Sequence, residues 1–144
     1  MTSHLTIASL VPGGEDGLGV VGVEVKTSSS VCRIEMLSWV GSFAEPASRI
    51  RGFPRARTDV VDLTLGSANS GSCSLNLSCV DGLGHVVVWV SLVSRYPVSL
   101  TDRRERFELG LSVEPAAIDS FHSELLALAG GASMSAVLLA TRRE

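Results

Sequence analysis

Two side chains suited to proton transfer stand four positions apart in this chain, Asp81 and His85 in "DGLGH". A carboxylate bound to an imidazole fixes its tautomer and raises its basicity, which is how general bases and activated nucleophiles are assembled. Such a pair needs a third group, a nucleophile or a metal, brought to it by the fold. Ser78 and Ser91 are the nearby hydroxyls, and no G-x-S-x-G turn of the kind that exposes a nucleophilic serine frames either. The competing reading is conformational. Asp-Gly between two strand patterns is a strong hairpin signal, because tight turns need residues that accept positive φ. A connection of that kind explains Gly82 and Gly84 without a ligand. The residues favour the hairpin over the acid–base pair.

No other constellation offers sharper chemistry. His4, His85 and His122 are dispersed, and no CxxC, HxxxH or HExxH spacing occurs, so no metal is expected. "GLGVVG" (17–22) has the glycines of a phosphate loop, but a valine-rich strand follows it where a helix is required. No cofactor is expected. Cys32, Cys73 and Cys79 make an odd set, and the last two lie roughly 20 Å apart along one strand, beyond disulfide reach. Reduced thiols are the expectation.

The elements that must position these residues are mostly strands. Residues 73–79 alternate, with Cys73, Leu75, Leu77 and Cys79 on one face and Ser74, Asn76 and Ser78 on the other. "HVVVWVSLV" (85–93) is apolar on both faces, which predicts a central strand either covered twice or showing one face to a partner. Trp89 lies on the second face. It is core if that face is covered and an anchor if it is not; base rates of burial favour core. "DVVDLTL" (59–65) and "RRERFELGLSV" (103–113) alternate as well, and "VVGVEVK" (20–26) with "VCRIEML" (31–37) reads as a hairpin across "TSSS". "HLTIASLV" and the tail "ASMSAVLLATRRE" are further strand candidates, the tail at a sheet edge and ending in a frayed charged terminus.

Two helices are expected. "EPAAIDSFHSELLALAGG" carries Pro115 at its first position, Gly130 at its end, and a stripe of Ile118, Phe121, Leu125 and Leu128 between them, with His122 flanking the stripe. In "SFAEPASRIRG" (42–52), Ser42 and Glu45 match a capping box, while Pro46 favours a short helix that begins there. The expected fold is α+β: a meandering antiparallel sheet of about six strands, with a long C-terminal helix and one short helix packed on one face. Residues 1–144 read as a single domain.

Composition narrows the function classes. The chain has 144 residues and a formal net charge of -3, so no global field draws nucleic acid. Only 5% of its residues are aromatic, too few for base-stacking surfaces. Arginines cluster in "RIRGFPRAR" and "DRRERF", where Asp59, Asp62, Asp102 and Glu105 lie close enough to neutralise them as a solvated rim. Lys26 is the only lysine among twelve basic residues, a mark of GC-rich coding. No segment predicts a membrane span or a signal peptide, and the expectation is a cytoplasmic protein.

The order "SWVGSFAEPASRIRGF", "CSLNLSCVDGLGHVVVWVSL", "RERFELGLSVEPAAIDSFHSELLALA" resembles the WapI-type immunity proteins of bacterial toxin systems and a related actinobacterial family of unknown function. Phe43, Ala44, Glu45 and Ala47 match the family's first helix, with Pro46 standing where it has leucine. Asp81, Gly84, His85 and Val86 match its hairpin, and Phe121, Leu125 and Leu128 its last helix, over roughly residues 20–130. The resemblance implies a non-enzymatic protein that occludes a partner, such as a cognate toxin. Candidate contact residues are Trp89 as the anchor, His85 beside the turn, and Arg104 and Arg106 on the rim. Two other readings stand beside it: a structural or self-associating module using the apolar face of 85–93, and a small hydrolytic enzyme built on Asp81 and His85.

Overall fold

The computed structural model describes residues 3–14, 17–67, 70–81, 84–95 and 104–141, with the backbone alone for Arg95 and Arg104. Eight strands are seen among them. β1 (His4–Val11), β2 (Gly19–Lys26) and β3 (Val31–Ser38) come first, and a 3-10 turn (Val40–Phe43) runs into α1 (Ala44–Arg49). β4 (Val60–Ser67), β5 (Gly71–Cys79), β6 (Val86–Arg95) and β7 (Arg104–Val113) follow, then α2 (Pro115–Ala129) and β8 (Ser135–Leu139).

The strands form two four-stranded antiparallel sheets, in the orders β3-β2-β1-β8 and β4-β5-β6-β7. The expected single sheet of about six strands is thereby corrected. The reason is physical. Period-2 alternation marks a strand and its buried face, but a half-buried strand looks the same whichever sheet it joins. The chain leaves the first meander after β3, passes through α1, and builds a second meander from β4 to β7.

Both inner faces and both helices meet in one buried cluster. Ile7, Val23 and Met36 face inward from the first sheet, Leu75, Val88 and Leu111 from the second, and Ile50, Phe121 and Leu125 from the helical segments. β5 places Cys73, Leu75 and Leu77 inward as its alternation predicts. The three cysteines are free thiols, and complete burial pushes the Cys73 thiol up to about 12.

α2 buries the stripe of Ile118, Phe121, Leu125 and Leu128. It packs against β8, α1 and the 3-10 turn, and so does not lie as a long helix across one face of a single sheet. Gly130 is its C-cap, while Gly131 takes the left-handed conformation at φ 80° that stops the chain from continuing as helix. His122 Nδ1 donates to the carbonyl of Ala47 at 2.8 Å, tying α2 to α1. β8 is an edge strand as expected, and Glu124 Oε1 accepts its Val137 amide at 3.3 Å, blunting that edge.

The first helix forms differently from either expectation. It starts at Ala44, and Pro46 falls within the first turn, where its missing N–H is one of the groups that lack an intrahelical partner anyway. The Ser42–Glu45 capping box is absent; the Ser42 hydroxyl donates to the Trp39 carbonyl at 2.6 Å instead.

Candidate functional site

"DGLGH" closes a hairpin. β5 and β6 pair antiparallel up to Cys79 opposite Val86, and the Val80 amide donates to the His85 carbonyl at 3.0 Å. Gly84 adopts φ 85°, a conformation that disfavours any side chain. Gly82 and Leu83 lie outside the described residues. Across the mouth, His85 Nδ1 stands 2.6 Å from Asp81 Oδ2, and the His85 amide donates to Asp81 Oδ1 at 3.4 Å.

The hydrogen bond to Asp81, then that carboxylate's charge, hold the His85 imidazole above its ordinary value, with the Glu114 charge adding to the effect. Ser112, Glu114 and Thr141 line the same depression of about 320 Å³. Yet the two side chains are 40% and 55% exposed, so water screens the pair and competes for its hydrogen bonds. What the geometry does is lock the turn. The raised value makes a testable titration. By the sign of the linkage, the favourable interaction is fully present below the unfolded-state value and fades as pH rises through the folded one. In an NMR titration, His85 should have its midpoint above 6.5 and Asp81→Asn should bring it down toward that value. An unchanged midpoint in the variant would show that Asp81 is not the cause.

Among the described residues, no element packs over the outer face of β6 at Trp89. Trp89 stands 57% exposed although its neighbours Val88 and Val90 are fully buried on the other side. Its cross-strand partners are Asn76 on β5 and Gly110 on β7. The indole lies over Gly110, where an added Cβ would sit 3.3 Å from Cζ3. An aromatic covering a strand glycine holds its own ring in place and shields that backbone. A shallow groove of about 420 Å³ runs beside it, bordered by Asp62, Thr64, Ser74, Asn76 and Ser91. Asn76 Nδ2 donates to Asp62 Oδ1 at 2.6 Å, and the hydroxyls of Thr64 and Ser74 are 3.2 Å apart. One rigid apolar ring therefore stands in a field of short polar side chains.

Three of the proposed contact residues, His85, Trp89 and Arg106, lie on this face at separate positions. His85 precedes β6 at one end, Trp89 is central, and Arg106 lies opposite Val93 toward the other end. Strand rise puts roughly 13 Å between His85 and Trp89. Arg106 Nη1 is 3.6 Å from Glu108 Oε1, an exposed pair worth little by itself. Arg104 is opposite Arg95 in the backbone register, and its side chain lies outside the described residues.

A second surface was not singled out by sequence reasoning. At one corner of the first sheet's outer face, Leu10, Val11, Leu37 and Trp39 are each more than half exposed, with Leu18 beside them. The exposed position of Leu37 between inward Met36 and Ser38 was readable from alternation; that it lies in one cross-strand row with Val20 of β2 and Val11 of β1 was not, since that depends on register.

No protein-family model matches the chain, and no curated protein matches it. Among the described residues no helix is long and apolar enough to cross a membrane, and no group of three or more His, Cys, Asp or Glu is placed to hold a metal.

Proposed function

We propose that the chain is a non-enzymatic protein-binding domain that occludes a partner protein, in the manner of bacterial toxin-immunity proteins. The observation that carries this reading is Trp89, exposed at the centre of a sheet face over which no described element packs. Tryptophan offers a large apolar area at low conformational cost, and interface energy concentrates on such anchors. The surrounding serines, threonine and asparagine suit the polar ring that excludes water around an anchor. Arg106 and His85 at the two ends supply charge that steers orientation. The solvent-open Asp81–His85 pair serves the same surface as a turn clasp, and on this reading it has no catalytic part.

The test is co-expression with the products of adjacent reading frames. A toxic neighbour should be neutralised and co-purify with this chain, and Trp89→Ala should weaken the complex by about 2 kcal/mol or more, roughly 30-fold in Kd. If no adjacent product is bound, or if Trp89→Ala binds as tightly as the parent, the reading is lost.

A further inference from the structure

We infer that the groove beside Trp89, on the outer face of the second sheet, is a binding site for an uncharged saccharide. The inference goes beyond the protein-binding reading and does not rest on it, although both use the Trp89 ring.

The register of the second sheet builds the site, because outward residues line up in rows across its strands. One row runs Asp62, Asn76, Trp89 and Gly110. The next runs Thr64, Ser74, Ser91 and Glu108. The first row sets a carboxylate and an amide beside an aromatic ring. The second is polar from end to end, with hydroxyls closed by a carboxylate. The benzo half of the indole leans over Gly110, where an added Cβ would meet Cζ3 at 3.3 Å and Cη2 at 3.4 Å. The ring is thereby tipped toward β7, and the surface over β4 and β5 stays open. The groove of about 420 Å³ lies there, between Trp89 and Asp62. That volume falls within the range of about 300–1,000 Å³ usual for small-molecule sites.

The polar groups are ordered before any ligand arrives. Asn76 Nδ2 donates to Asp62 Oδ1 at 2.6 Å, so each side chain holds the other in place. Asp62 Oδ2, Asn76 Oδ1 and the second Nδ2 hydrogen are left for a ligand, two acceptors and a donor side by side. The Thr64 and Ser74 hydroxyls, 3.2 Å apart, add groups that can both give and accept.

A pyranose meets all of these demands at once. The C–H groups on one side of its ring pack against the electron-rich face of an indole. Its rim hydroxyls each donate and accept, and two neighbouring ones span a carboxylate–amide pair. Other classes fit worse. An anionic ligand would face the carboxylates of Asp62 and Glu108. The nearby cations are engaged: Arg106 Nη1 stands 3.6 Å from Glu108 Oε1, and Arg49 donates to the Asp62 carbonyl. A wholly apolar ligand would strip water from the hydroxyl row and replace none of its hydrogen bonds. The same accounting makes the site selective, since groups placed to bond hydroxyls reject analogues that lack them.

The test is titration of the full chain with neutral oligosaccharides of glucose, mannose, galactose and N-acetylglucosamine, followed by amide NMR shifts and calorimetry. At least one should bind with a Kd of about 1 mM or tighter and shift the amides around Asn76 and Trp89. Trp89→Ala should abolish this binding, while Trp89→Phe should keep most of it. Asp62→Ala and Asn76→Ala should each weaken it about tenfold, and Trp39→Ala should leave it unchanged. Circular dichroism checks that each variant folds. A uronic acid oligomer should bind at least about tenfold more weakly than the best neutral one. The inference is overturned if no neutral oligosaccharide moves these amides at about 10 mM, if binding survives Trp89→Ala, or if the uronic acid oligomer binds as tightly. Saccharide binding without capture of any adjacent gene product leaves this inference standing and removes the protein-binding reading. Capture without saccharide binding does the reverse.

Discussion

Phe121→Ala should lower stability by about 3–5 kcal/mol, the usual cost of truncating a buried aromatic that neighbours cannot fill. Phe121 is 1% exposed and sits mid-stripe on α2 between Ile118 and Leu125. That helix touches β8, α1 and the 3-10 turn at once, so the cavity opens where the first sheet and the helical segment share their packing. Against a total of about 5–15 kcal/mol for a domain, the loss is a large fraction. It should lower Tm by about 10–15 °C. Urea melts should show a lower midpoint at unchanged slope. Leu126→Ala, on the exposed side of the same helix, should stay within about 0.5 kcal/mol of the parent. Equal losses at the two positions would mean that α2 does not bury the face described.

The second large effect contrasts adjacent residues on β6. Val88 is fully buried on an interior strand, paired with Leu77 on one side and Leu111 on the other. Val88→Asp puts a carboxylate where no water and no cation reach it, and should abolish the folded state at neutral pH. Trp89→Ala, one position on, should fold and lose about 1 kcal/mol at most, mainly the cover over Gly110. Circular dichroism and proton NMR dispersion read both outcomes. A folded Val88→Asp, or an unfolded Trp89→Ala, would invert the assignment of the two faces.

The same strand shows where sequence reasoning runs out. The text "HVVVWV" identified an interior strand, and β6 does lie between β5 and β7. It could not say whether its second face was covered, because that depends on elements elsewhere in the chain. Base rates favoured a buried Trp89; the helices pack on the inner side, and Trp89 remains in water. The Asp81–His85 contact was legible as a hairpin, since a turn is a local matter of φ and strand alternation. The corner at Leu10, Val11 and Leu37 was not, because a bulge between Ser9 and Val11 leaves no mark on the alternation pattern of a short apolar strand.

What the sequence by itself determined is local. Alternation placed the strands and their inward faces at β5 and β7, helical spacing placed the α2 stripe, and Asp-Gly placed the turn before β6. Each follows from backbone periods of 2.0 and 3.6 residues and from the few residues that accept a given φ. Tertiary structure alone decided the partition into two sheets, the return of β8 to β1, and which faces stay in water. Those outcomes turn on pairings between residues far apart in the chain, such as His4 with Leu139, and no local period encodes them.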